Sequence, residues 1–147
     1  MTVRLYLDAN LLVYAFERTG TTSEPRGVLG LVRDGVATAV ISELVVAELL
    51  VRPLMLGDKE LTETYLNLLE APIGYETYPV DRDVLIEAAR RRASRPQIRL
   101  PDAIHVATAC LRRCHAIVTN DRRISPPDEL LALSLDASIV DNIRALA

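Results

Sequence analysis

The 147-residue chain is 50% apolar and 25% charged, with a net charge of −3. That balance belongs to a folded globular chain rather than a disordered one, and a pI near 5.4 is not the basic signature of a dedicated nucleic-acid binder. No apolar run reaches the ~20 residues that span a bilayer, and Arg4 and Asp8 bracket only three residues, too few for a signal-peptide core. A cytoplasmic protein without membrane contact is expected, as one domain over residues 1–147.

The first element is in "RLYLDANLLVYAF". Val3, Leu5 and Leu7 alternate with Arg4 and Tyr6 up to Asp8, a strand period, and Asn10 to Arg18 follows as a helix. Gly20 to Pro25 reads as a loop in which Thr22 or Ser23 caps a helix running to about Asp34. Gly35 ends it, and Ala37 to Ile41 is a short apolar strand. Ser42 caps a helix through Leu56, and Gly57-Asp58 separates it from another over Leu61 to Leu69. Tyr75 to Pro79 reads as a strand, and Asp81 caps a helix to about Ser94. Leu100-Pro101-Asp102 opens a helix to His115, with proline in the first turn where its missing donor does no harm. Ala116 to Thr119 is a strand, and a last one is expected within Leu135 to Val140.

Short strands, apolar on both faces and alternating with helices, predict an α/β fold with a mainly parallel central sheet between two helix layers. Ligands of such sheets bind beyond the carboxyl ends of the strands. Asp8 follows the first strand, Asp121 follows the strand Ala116 to Thr119 in "IVTND", and Asp102 starts a helix at the same edge. Glu48 lies about one and a half turns into the helix after Ser42, among Leu44, Val45, Ala47 and Leu49. Singly, each has an ordinary role: Asp102 at a helix N-terminus, Asp121 in an Asx turn, Glu48 on a solvated face. Asp8 resists one, because a buried charge without a partner costs several kcal/mol. Together they predict one acidic pocket that needs a cation, and oxygen donors without convergent His or Cys select Mg²⁺ or Mn²⁺. Such clusters suit phosphodiester hydrolysis.

The remaining chemistry-bearing residues are less specific. Cys110, Cys114, His105 and His115 point around most of a helix circumference, which disfavours zinc and leaves the cysteines as packing residues. His105, one turn after Asp102, could touch substrate or a carboxylate, or be a satisfied buried histidine. Arg90, Arg91, Arg92, Arg95 and Arg99 form either a solvated helix end or a phosphate-positioning patch. A receiver domain would want a lysine late in the chain, and the single lysine is Lys59. A phosphatase with Asp-x-Asp after the first strand would want an acid where Asn10 stands.

The segments "YLDANLLVYAF", "ISELVVAELL", "LPDAIHVATA" and "IVTNDRRI" resemble, in order and spacing, the signature segments of PIN-domain ribonucleases, in particular the short VapC-like toxins of toxin–antitoxin pairs. The resemblance implies the PIN-like three-layer sandwich and makes Asp8, Glu48, Asp102 and Asp121 the metal-binding, catalytic acids. Asn10 and Thr119 match the polar positions beside them. Asn10 could orient a carboxylate or cap its helix; Arg122 and Arg123 are the arginines nearest the site. The resemblance further implies hydrolysis of RNA to 5′-phosphate and 3′-hydroxyl ends with Mg²⁺ or Mn²⁺, a cognate antitoxin and a homodimer. The alternative is a non-catalytic PIN-like module that binds protein or RNA.

Overall fold

A computed structural model describes residues 2–17 and 23–147; the expectations for Arg18, Gly20 and Thr22 fall outside them. Five strands form one sheet in the order β3-β2-β1-β4-β5, and every pairing is parallel. They are β1 Val3–Leu7, β2 Ala37–Ser42, β3 Tyr75–Tyr78, β4 Ala116–Val118 and β5 Leu131–Leu133. The helices are α1 Ala9–Glu17, α2 Glu24–Arg33, α3 Leu44–Leu49, α4 Val51–Leu56, α5 Lys59–Leu69, α6 Arg82–Ser94, α7 Leu100–Leu111 and α8 Ile139–Arg144.

The two-residue strand period sorts the core into layers. Val3, Leu5, Leu7, Ala39, Ile41 and Val118 pack with side chains of α1, α2, α3, α5 and α8. Tyr6, Val40 and Ile117 point the other way, onto Val106 and Ala109 of α7. Val84 and Ala88 of α6 cover the far side of α7, against Ala103, Ile104 and Ala107. This is the α/β three-layer arrangement expected from the sequence. Where cap hydrogen bonds form, they are local: the Asp58 carboxylate accepts the Leu61 N–H at 3.0 Å and Asp81 accepts that of Val84 at 3.0 Å.

Several boundaries differ from expectation, four of them in ways that bear on the fold. The helix expected from Ser42 through Leu56 is divided at Leu50 into α3 and α4. Pro53 has no N–H for the Leu49 carbonyl and its ring crowds that turn, so the helix restarts with proline in a first turn. Ser42 ends β2, and its hydroxyl accepts the Leu44 N–H at 3.1 Å while Glu43 takes the cap position. Helix α7 stops at Leu111, and Arg113 takes a left-handed φ of 55° before β4 begins. The last strand is Leu131–Leu133, not within Leu135 to Val140. It is an exposed edge strand without an alternating pattern, and the segment after it turns into α8, whose Ile139 and Ile143 are buried.

Candidate active site at the strand ends

Strand order reverses at β1, which lies between β2 and β4. Side chains there can reach a shared crevice instead of being covered by a connection, which makes it the natural ligand position of an open parallel sheet. Asp8 leaves β1 at this point and Thr119 leaves β4, their backbones joined by a hydrogen bond from the Asp8 N–H to the Val118 carbonyl (3.3 Å).

Thr119 joins two of the acids. Its buried hydroxyl donates to Asp8 Oδ2 at 2.6 Å and accepts the Asp121 backbone N–H at 3.0 Å. Asp8 is only 8% exposed, and among the described residues no Lys, Arg or His forms an ion pair with it. Asp8, Asn10, Thr119, Asp121 and Arg123 line a pocket of about 220 Å³. Asn10 sits inside the first turn of α1 rather than ahead of it, so it faces the pocket and does not cap the helix.

Arginines hold two of the acids. Arg123 grips Asp121 through its Nε at 3.0 Å, its Nη2 at 2.9 Å and its backbone N–H at 2.9 Å. That guanidinium holds the Asp121 carboxyl below the usual aspartate range. Asp102, 8% exposed in the first turn of α7, accepts from Arg99 Nε at 3.3 Å. Asp102, Arg99, Arg95 and Arg123 line a second pocket, so Arg123 borders both. Arg122 is exposed. Of the other arginines in the 90–99 run, Arg90 and Arg91 pair with Glu87 and Arg95 bonds Ser125.

Glu48 lines neither of these pockets and is held by a side chain of α7. Its Oε1 lies 2.7 Å from His105 Nε2, and His105 Nδ1 is hydrogen-bonded to the Tyr6 phenol. Burial first, then the charges of Glu48 and Asp8, pushes the Tyr6 pKa well up, so the phenol keeps its proton. Tyr6 is the participant that a pass along the sequence overlooks. The available signal is a hydroxyl-bearing ring in an otherwise aliphatic strand, on the face opposite Leu5 and Leu7.

The donor set is entirely oxygen and suits a hard divalent cation. Among the described residues, no three His, Cys, Asp or Glu side chains form a group able to hold a metal as they stand. Guanidinium groups and an imidazole take up Asp121, Asp102 and Glu48. Asp8 and Asp121 line one pocket and Asp102 another, Glu48 lines neither, and the four acids are not drawn into one cluster. The possible zinc ligands are committed elsewhere as well: His115 Nδ1 accepts the Arg4 backbone N–H at 2.9 Å, and burial pushes the Cys114 thiol up to about 12.

The sequence profile of the PIN domain matches residues 5–130. No curated protein matches the chain. Among solved structures, the chain is similar to VapBC2 from Rickettsia felis, which was solved bound to a DNA fragment from its promoter. The TM-score is 0.71 at 20% identity, over 91% of this chain and 100% of that one. It is also similar to FitAcB from Neisseria gonorrhoeae (TM-score 0.66, 19% identity, 89% of this chain and 97% of that one). A toxin–antitoxin complex from Klebsiella pneumoniae gives a TM-score of 0.65 at 20% identity, over 86% and 95%. At such identities the structural likeness speaks for the fold. The profile covers most of the chain, and the protein belongs to the PIN domain family.

Proposed function

We propose that this protein is a Mg²⁺- or Mn²⁺-dependent ribonuclease and the toxin of a toxin–antitoxin pair. The observation that carries the enzymatic reading is Asp8. It is a nearly buried carboxylate at the switch point of a parallel sheet, held by a neutral hydroxyl and without a cationic side chain of its own among the described residues. A purely structural acid at that depth would be expected to have a cationic partner.

Asp8 and Asp121 would hold the principal cation, with Asp102 and Glu48 as further direct or water-mediated ligands. When bound, a hard divalent cation supplies Lewis acidity to the attacking water and to the phosphate oxygens. The protein does the positioning. Thr119 fixes the Asp8 carboxylate and the Asp121 backbone together. Arg99 and Arg123, now on carboxylates, stand where a phosphodiester would bring negative charge, and a guanidinium can bind phosphate through paired donors. Arg95 extends the same basic edge. These phosphate contacts supply affinity without sequence choice, as suits single-stranded RNA.

The toxin assignment is supported by the fold's company, since one of the similar solved structures is a toxin–antitoxin complex, and by the resemblance of the four acidic segments to VapC-like toxins. The exposed apolar residues Val51, Leu54, Met55 and Leu56 on α4 offer a surface for the antitoxin to cover. A homodimer belongs to the same proposal.

The test is cleavage of end-labelled RNA in Mg²⁺, Mn²⁺, Ca²⁺ and chelator, with Asp102→Asn as the control. Asn keeps the size and removes the charge, so cleavage should fall roughly 10²-fold or more while the melting curve stays cooperative. Wild-type rates from the variant would take Asp102 out of the site. Full activity after exhaustive chelation would refute the metal requirement. RNA or partner binding without cleavage in any cation would favour the non-catalytic module.

A further inference from the structure

We propose that Tyr6 and His105 form a positioning relay that aims the Glu48 carboxylate into the site. The inference rests on the reading of Glu48 as a cation ligand and goes beyond it. It assigns roles to two side chains that the acidic centre does not itself require.

The three groups come from three separate elements: Tyr6 from β1, His105 from α7 and Glu48 from α3. Tyr6 is fully buried and His105 is 2% exposed, while the Glu48 side chain keeps 35% of its surface in solvent. The two rings lie 5.6 Å apart at 59°, and Tyr6 packs with Val40, Val106 and Ile117 between sheet and helix. A neutral imidazole has one donor and one acceptor. A carboxylate oxygen can only accept, so the ring proton facing Glu48 Oε1, 2.7 Å away, is on Nε2, and Nδ1 of the neutral ring accepts the Tyr6 phenol O–H. Both ring nitrogens and the phenol oxygen then have partners.

The alternative is that Glu48 merely satisfies a buried histidine. A core histidine can be satisfied by a backbone carbonyl, and between two packed layers an aliphatic residue would avoid the demand altogether. Here a second buried polar group, the Tyr6 hydroxyl, donates to Nδ1 and so stabilises the tautomer that delivers a donor to the carboxylate. Glu48 has three rotatable bonds and a partly solvated position on a six-residue helix. Without the imidazole it has no fixed direction. Outer partners that orient a metal-binding side chain in this way typically change metal affinity by about 10–100-fold when removed.

The experiment measures Mn²⁺ affinity by calorimetry on the full chain, with a thermal melt of every variant in chelator. Glu48→Gln should weaken Mn²⁺ binding at least about tenfold. Tyr6→Phe removes one oxygen and should also weaken binding about tenfold, with a cooperative melt retained. His105→Leu should do the same, while His105→Gln, whose amide can still donate to Glu48, should stay within about fivefold of wild type. In the Glu48→Gln background Tyr6→Phe should cost nothing further, because the relay has no carboxylate left to aim. Wild-type affinity in both Tyr6→Phe and His105→Leu, with Glu48→Gln impaired, would overturn the relay and leave Glu48 a ligand. A further tenfold loss on adding Tyr6→Phe to Glu48→Gln would overturn it too. Wild-type affinity in Glu48→Gln itself would remove Glu48 from the ligand set and the relay with it; Asp8→Asn, measured alongside, would show whether the rest of the centre stands.

Discussion

Asp8→Asn separates a functional carboxylate from a structural one, because the two roles give opposite signs in the absence of metal. The amide keeps the size, and its oxygen can still accept the Thr119 hydroxyl that now binds Asp8 at 2.6 Å. What changes is charge. The Asp121 backbone shares the Thr119 hydroxyl with Asp8 and its side chain lines the same pocket; for scale, two unit charges about 6 Å apart at an effective dielectric of ~20 repel by ~3 kcal/mol. Arg123 cancels much of the Asp121 charge, so the relief expected in chelator is on the order of 1 kcal/mol. For a chain of this size that is a rise of roughly 2–4 °C in Tm. Mn²⁺ at a hundredfold excess over its Kd stabilises the wild type by about 2.7 kcal/mol, or roughly 5–10 °C, and the variant by much less. Paired thermal melts with and without Mn²⁺ should therefore show the two proteins exchanging order. An Asp8→Asn protein that melts well below wild type in chelator would make Asp8 a structural acceptor, and one that gains as much from Mn²⁺ as wild type would remove it from the ligand set.

Two further predictions concern the scaffold. The Arg4 guanidinium forks onto Glu76 at 3.1 and 2.8 Å and, with the Tyr78 hydroxyl, holds the Glu76 carboxyl below its usual range. A depressed carboxyl contributes stability above its unfolded pKa of about 4.3 and loses it as pH falls through the lower folded value. Glu76→Gln should therefore melt below wild type at pH 7, by the ~1 kcal/mol or less of a partly exposed pair, and the gap should close on titration to pH 3; an unchanged gap at pH 3 contradicts the charge pairing. Changing Cys110 and Cys114 together to Ala should lower stability by about 1 kcal/mol, mostly from buried Cys114, and leave specific activity intact. A stoichiometric zinc lost with the double variant, measured by metal analysis, would show the thiols to be ligands.

Most of the architecture is legible in the chain because local and global signals agree. Val3, Leu5 and Leu7 alternate with a tyrosine that is also buried, which is the mark of a strand covered on both faces. Asp58 and Asp81 announce their helices, and Gly57 closes α4 in the left-handed conformation at φ 65°. The misplaced elements are those whose pairing is not written in their own residues. Leu131–Leu133 is held only along one side, by β4. Its exposed Leu131 looks like a loop residue until the sheet supplies a neighbour. The break at Leu50 comes from competition between an apolar helical pattern and one proline, and the pattern alone does not say which prevails.

The site divides the same way, between what composition announces and what only the fold brings together. An aspartate after an apolar strand is visible at once, because a carboxylate at that junction conflicts with its surroundings and demands a partner. The nature of the partners is not visible. Tyr6 and His105 stand 99 residues apart, His105 and Glu48 stand 57 apart, and no periodicity within α3 or α7 connects them. The sequence reading also treats the acids as a bare cluster waiting for a cation, whereas the fold gives three of the four a cationic or imidazole neighbour. Arg123 and Arg99 lower the repulsion that would otherwise oppose folding without metal. On the proposed function, the same arginines would be released for phosphate once a cation takes the carboxylates. Basic residues close to the acids would then have two consistent uses, one for folding and one for substrate. That is why their presence in "IVTNDRRI" and "RRRASRPQIRLPD" could not be resolved by composition into either use alone.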